Sequence, residues 1–373
     1  MKKSYLFLLI GIILSSCMKT VSISTMRPAA INIPSEVQTL VLVDRTKYER
    51  DAIGILEGVL TGEGINEDKD GVTAMFSALQ NNLRNSPRFV VKQEPQRLIG
   101  NTVTGAFPDP LSWRIVNDLC RRHNADAVLA VEVFDSDFII TDGKREKTKT
   151  IKDDDGNERK VKYTEFFAEG VGSVRIGVRL YNAVSNSIED QDIYTQNRTW
   201  EASATSIKEA MAQMVQKSQA TKSLGGAVGA TYAGKIAPMP VYLSRSYYAK
   251  PKKNEFMSRG ARQASVNQWE EAISTWKTGI RNSNDSDLKG KLAYNVALGY
   301  EVMGDFRMAK DWAARSYVEY GEKKGQNYAA QLENRMRQEE ILNQQLSQPE
   351  AADEGNKIEK QGNSNVIKLK VKD

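Results

Sequence analysis

The chain has 373 residues, 40% hydrophobic and 27% charged, which is enough for two ordinary domains and a tail. Its formal charge of +5 includes Lys2 and Lys3 of a leader-like start, and the excess left without them is too small to argue for nucleic-acid binding. His123 is the single histidine, which excludes any mechanism that needs two imidazoles and any zinc site built on several histidines.

Lys2 and Lys3 open the chain, an apolar run covers residues 6–14, and small residues precede Cys17. That run is too short to span a bilayer and reads as the core of a secretory leader. Leu14, Ser15, Ser16 and Cys17 together form a lipobox, and the segment resembles the leaders of bacterial lipoproteins. The resemblance implies cleavage after residue 16 and a diacylglycerol on the thiol of Cys17, which anchors the chain to a membrane leaflet. Cys120 then has no partner for an intramolecular disulfide. Residues 17–35 read as a polar tether.

Residues 36–249 read as an α/β domain with an antiparallel sheet. The apolar, β-branched run from Val37 to Val43 predicts a buried strand. Val72, Met75, Phe76, Leu79 and Leu83 stand at helical spacing, and Arg88 to Val91 predicts a second strand. Leu111, Ile115, Val116 and Leu119 predict another helix, followed by a strand over 125–133. Strand, helix, strand, helix, strand is an α/β order. Residues 138–152 and 159–182 then read as the arms of a long hairpin turned at Asp153, Asp154, Asp155, Gly156 and Asn157. Val174, Ile176, Val178 and Leu180 alternate with Arg175, Gly177 and Arg179, so one face is apolar. A strand over 188–200, a helix over 206–219, a small-residue segment over 224–235 and a strand over 241–243 follow.

Residues 250–345 are helical and repetitive. Gly260, Trp269, Ala272 and Trp276 in one unit correspond to Ala297, Phe306, Ala309 and Ala313 in the next, at a constant offset of 37. Small residues let paired helices approach closely, and the aromatics fill the space between pairs. These residues, with the turn Gly304, Asp305 and Phe306, resemble the tetratricopeptide repeat, whose period is about 34. Asn267 and Gln268 depart from the usual Gly-Asp turn in the first unit. The resemblance implies that polar and aromatic residues on the first helix of each pair, here Arg259, Gln263, Tyr294 and Asn295, face inward and hold a partner segment. Residues 346–373 read as a disordered polar tail, with alternating apolar and basic residues over 366–371. The expected fold is therefore α+β, an α/β-type N-terminal domain with a long antiparallel hairpin, followed by all-α repeats.

Motifs that suggest chemistry each have a plainer reading. Gly229, Gly234 and Lys235 fit the spacing of a phosphate-binding loop, but Ile236 stands where the magnesium-binding hydroxyl is needed. Gly225, Gly229 and Ala233 instead form a stripe of small residues that permits close contact. Asn66, Asp68, Asp70 and Gly71 match the first half of a calcium loop, yet Ser77 replaces the bidentate glutamate, which leaves the aspartates as helix-start residues. Asp153, Asp155 and Asn157 are a solvated hairpin tip, with Glu158 in place of the loop's glycine. Cys120 and His123 end a helix, where a histidine commonly meets the last carbonyls and the dipole. Lys144, Arg145, Lys147, Lys149, Lys152, Arg159, Lys160 and Lys162 make the hairpin arms basic, either to engage an anionic surface or to guard a sheet edge against aggregation.

Taken whole, the chain resembles envelope lipoproteins of the Bacteroidota that join an uncharacterised α/β domain to tetratricopeptide repeats. Ala125 to Val131 is also similar to the α/β domains of curli secretion channel lipoproteins, the TolB N-terminal domain and lipoprotein activators of peptidoglycan synthases. The acidic residues that favour surface export in lipoproteins of this phylum are missing after Cys17, which implies the periplasmic face of the outer membrane. The expected function is a non-catalytic, lipid-anchored adaptor with an envelope protein partner and no cofactor, metal, nucleotide or nucleic acid. The alternatives are binding of glycan or peptidoglycan, including regulation of its synthases, and an accessory role in a secretion pore.

Overall fold

The computed structural model describes residues 18–46, 67–98, 106–152, 156–250 and 254–347. In chain order the elements are β1 (Met18–Arg27), β2 (Thr39–Asp44), α1 (Glu67–Leu83), β3 (Val90–Gln93), α2 (Trp113–His123), β4 (Ala127–Lys152), β5 (Glu158–Asn182), β6 (Ser187–Ala204), α3 (Ile207–Gln213), α4 (Lys217–Ile236) and β7 (Met239–Tyr248). The helices α5 (Glu255–Ser265), α6 (Trp269–Arg281), α7 (Ser286–Met303), α8 (Phe306–Val318) and α9 (Lys323–Leu346) complete it. The expected α+β class is the observed one. Two compact units result, a sheet unit over 28–239 with the segment from 344, and a helical unit that takes residues up to 27 together with 240–343.

In the sheet unit the strand order is β3-β2-β4-β5-β6. β2 runs parallel to both β3 and β4, whereas β4, β5 and β6 form an antiparallel meander. The continuous apolar run of β2 follows from burial on both faces. Leu40 and Leu42 join α1 and α4 in one core, while Val41 and Val43 join α2, Val128, Ala130 and Tyr181 in another. Asp126, just before β4, accepts the Gln38 and Thr39 amides and so ties the start of β4 to β2. Asn124 ends α2 in the left-handed conformation, φ 44°, which asparagine tolerates better than most residues.

Two expectations on this unit are corrected. The helix over 206–219 is two helices, parted at the extended Met214, because Ala210 and Met214 bury against Ala168 while α4 follows a different line along α1. The small-residue segment over 224–235 is the body of α4, and its glycines bring α4 onto the α1 backbone.

In the helical unit, Asn254, Asp285 and Asp305 cap α5, α7 and α8 by accepting amide N–H groups of the first turn. Gly304 closes α7 at φ 82° and Asp305 opens α8, which accounts for the turn between them. Asn267 takes the left-handed conformation at φ 61° between α5 and α6, so it does the work of the missing glycine. The expected tether is also corrected: residues 18–27 form β1, which makes a two-stranded sheet with β7. Val21 and Ile23 of β1 pack in the helical core, and that apolar contact is what a solvated tether lacks. β7, expected only over 241–243, is ten residues long and packs with the helices, and the compact units divide at 239/240.

Candidate functional site

In the helical unit the residues expected at the repeat core are buried. Ala272, Trp276, Ala297, Ala309 and Ala313 are fully enclosed and Trp269 nearly so, with Phe306 packed at the margin of the same core. A Cβ on Gly260 would lie 2.3 Å from Nε1 of Trp276, so only glycine fits there. The four residues expected to hold a partner segment have a different situation. Asn295 is 0% exposed, and its side-chain amide accepts from the Tyr248 N–H at 2.8 Å and donates to the Tyr248 carbonyl at 2.7 Å. Tyr294 packs between Tyr248 and Tyr328, with ring centroids at 5.8 and 5.1 Å. Strand β7 of the same unit thus occupies the place a partner segment would take beside α7. Gln263, half-buried, accepts from the Thr275 hydroxyl, and Arg259 lies over the Phe256 ring but is exposed.

One buried charge in this unit had no signal in the sequence pattern. Glu301, 2% exposed on α7, receives both arms of the Arg245 guanidinium from β7 at 2.9 and 3.0 Å and the Tyr328 hydroxyl from α9 at 2.5 Å. It locks β7 against the helices by ionic hydrogen bonds.

In the sheet unit a second buried carboxylate lies at a break in the β4–β5 register between Val131 and Val133. Glu132 follows Val128 and Ala130 in the alternation of β4 and so lies on the α2 side of the sheet. There it meets Arg45 at 2.5 Å, Arg179 at 2.6 Å and the Tyr181 hydroxyl at 2.7 Å. The Pro108 and Asp109 carbonyls take further protons of the two arginines. This is a buried ion-paired cluster in which Arg45 Nε has no hydrogen-bond partner and Glu132 Oε2 is held only by its ion pair with Arg179.

The remaining motifs resolve into structure. Cys120 is buried against α2's core, and burial pushes its thiol up to about 11, the reverse of an activated nucleophile. His123 faces the Glu94 carboxylate at 3.1 Å, with Arg122 at 2.8 Å from the same oxygen. Gly229 and Gly234 lie within α4, and Lys235 pairs with Asp190 and Asp192, so no phosphate-cradling loop forms. Asp68 accepts from the Ser136 hydroxyl and Asp70 pairs with Lys222, both from the first turn of α1. Among the described residues no group of metal-ligating side chains comes together. Cys17, the leader, Asn66, Asp153, Asp155 and the tail from 348 lie outside the described residues.

The most open feature of the sheet unit is the far part of β4 and β5. The last residue of β6, Ala204, pairs with Phe166, and beyond it Arg145–Lys152 and residues 158–165 continue as two strands alone. Eight paired positions at about 3.3 Å each extend the ribbon by about 26 Å. Arg145 pairs with Glu165 and Glu201 and lies over the Phe167 ring, Lys147 shares Glu165, and Lys149 stands over Tyr163. Lys144, Lys152, Arg159 and Lys160 are exposed. β2 covers β4 only over 127–131, so among the described residues the outer backbone edge of β4 from 133 onward has no neighbouring strand.

No curated protein matches this chain. Among solved structures it has a slight likeness to the PelC dodecamer of Paraburkholderia phytofirmans, at 15% identity and a TM-score of 0.24, covering 58% of this chain and 99% of that one. A point variant of the same dodecamer gives 15% identity and 0.23, over 57% and 96%. Residues 258–340 match the domain of unknown function DUF6340. Residues 37–248, more than half the chain, match the domain of unknown function DUF8603, and the chain belongs to that family.

Proposed function

We propose that this protein is a non-catalytic scaffold of the bacterial envelope, anchored through lipid on Cys17 at the periplasmic face of the outer membrane, which engages a protein partner along its β4–β5 ribbon. The observation that carries this reading is the continuation of two strands beyond β6 with a backbone edge that is open among the described residues. An isolated pair of strands contributes little to its own stability, and an exposed edge is an aggregation hazard, so a fold that keeps one has a use for it. The edge supplies main-chain donors and acceptors for an added strand, and the lysines select for an acidic one while rejecting copies of themselves. The inner face of the helical unit, where Tyr294 and Asn295 hold β7, is not needed for this role.

The test is crosslinked affinity purification of the lipidated protein from intact cells, beside a version whose residues 146–164 are replaced by an Asn-Gly turn joining Arg145 to Glu165. Loss of a copurifying partner, with the unfolding midpoint unchanged, supports the ribbon as the docking element. A partner that remains bound to the shortened protein refutes it.

A further inference from the structure

The residue that follows the lipid-acceptor cysteine is already part of the folded helical unit. Met18 begins β1, and its Sδ lies 2.9 Å from Nζ of Lys324 in the first turn of α9. Farther along the strand, Val21 and Ile23 enter the helical core, and Thr25 meets Arg335 and Glu339 of α9. β1 therefore runs along α9 from the start of that helix toward its middle, held at both ends and between. One peptide unit, 3.8 Å from Cα to Cα, separates Met18 from Cys17.

We infer that the helical unit has a membrane-docking face, made by the start of β1, the start of α9 and the α5–α6 turn, which rests on the headgroups of the leaflet that takes the Cys17 lipid. This rests on the anchoring half of the proposed function and not on the ribbon. A diacylglyceryl thioether places the Cys17 backbone at headgroup depth, and with no slack before Met18 the surrounding surface is held there too. The α5–α6 turn belongs to that surface because Ser265, Asn267 and Trp269 line the same open groove as Met18, Lys19 and Thr20.

The charge of this surface suits an anionic bilayer. Lys19, Lys323 and Lys324 are exposed, and none has a carboxylate partner among the described ion pairs. The nearby Glu322 is occupied by the Tyr248 hydroxyl and the Lys324 amide. Each lysine held near an anionic surface strengthens binding by about fivefold. The two acyl chains of the Cys17 diacylglycerol make the anchoring firm by themselves, and the basic patch adds orientation. The far end of β1 is about 30 Å from Met18 at the rise of an extended strand, so Arg27 is the position on this strand farthest from the anchor.

The experiment uses the full lipidated chain in nanodiscs containing phosphatidylglycerol, with single fluorescent labels at N267C, K323C, R27C or I341C and a quencher on the lipid headgroups. Strong quenching at 267 and 323 with little at 27 and 341 is the expected result. Inserting ten Gly/Ser residues between Cys17 and Met18 should remove that contrast while leaving the protein on the discs. Equal, weak quenching at all four positions, with the lipid present on Cys17 by mass spectrometry, overturns the docking face alone. Absence of lipid on Cys17 overturns the anchoring and the docking face together. In the supporting case, the triple change K19E, K323E and K324E weakens quenching at 267 on anionic discs by more than on discs of phosphatidylcholine. An equal change on both discs overturns the electrostatic part.

Discussion

The contact between α1 and α4 gives a prediction with an internal control. A Cβ added at Gly225 would lie 2.4 Å from the Gly71 carbonyl oxygen, and one at Gly229 would lie 2.3 Å from the Met75 carbonyl oxygen. At Gly226, one residue away on the same helix, the nearest atoms are 3.9 Å off. In a helix interior Gly→Ala gains about 1 kcal/mol from backbone entropy alone. At 225 and 229 the obstacle is backbone, which no rotamer change moves, so the two helices must separate by about 1 Å and loosen Leu224, Val228, Met75 and Leu79. Overpacking of this kind costs about 3 kcal/mol at the upper end of its usual range. G225A and G229A should therefore each lose about 2 kcal/mol net, while G226A should gain about 0.5–1 kcal/mol. The assay is native-state hydrogen exchange of α1 and α4 amides, with urea unfolding of the leaderless chain alongside. If G229A stabilises these helices as G226A does, the close approach of α1 and α4 is not what those glycines serve.

Other consequences can be measured on the same leaderless chain. E132Q strands Arg45 and Arg179 in the interior without a counter-charge and should cost about 3–5 kcal/mol in urea unfolding; a loss under about 1 kcal/mol would mean the cluster is not coupled to folding. Burial pushes Asp68 up from 3.8 to about 6, so its carboxylate destabilises the fold above pH 6 and this cost vanishes as pH falls toward 4. D68N should then raise stability at pH 8 by up to about 3 kcal/mol and leave it unchanged at pH 4; a pH-independent difference contradicts the assignment. N295A leaves the Tyr248 amide and carbonyl unpaired and should cost about 2–4 kcal/mol, against under about 1 for R259A, and comparable small effects would restore Asn295 as a surface residue. Cys120 should resist a disulfide reagent at pH 8 in the folded chain and react on unfolding, and rapid labelling of the folded chain would place the thiol outside the core.

Where a pattern is local the sequence already carried it. The alternation in β5, the helical stripe of α1, the apolar run of β2 and the turn at Gly304 and Asp305 each rest on neighbours within a few residues, and each appears where the sequence reading placed it. The small-residue stripe of α4 was legible as a close-contact surface but not as a helix, because glycine lowers helix propensity and only the α1 backbone, distant in sequence, compensates for it. Asp126 has no local signal for its role, since its two amide partners at Gln38 and Thr39 are nearly ninety positions earlier. The charges at Glu132 and Glu301 were likewise silent. A lone acidic residue inside a strand or helix reads as solvent-facing until another strand brings an arginine to it.

The repeat pattern shows most clearly why a period predicts packing better than it predicts binding. Gly260, Ala272, Ala297 and Ala309 recur because adjacent helices must approach closely, and that requirement is met inside the repeats themselves. Whether Tyr294 and Asn295 face a partner or the rest of their own chain depends on what else reaches the inner face, and the period has no term for it. Here the answer came from β7, whose Arg245, Tyr247 and Tyr248 are fastened by Glu301, by the Trp269 and Trp276 rings, and by Asn295. A polar residue that would advertise a binding surface in an open array is instead a hydrogen-bonding anchor for a strand. Its removal should therefore register first as lost stability and only afterwards, if at all, as lost association. In that order of effects, N295A separates an occupied inner face from an open one without any knowledge of the partner.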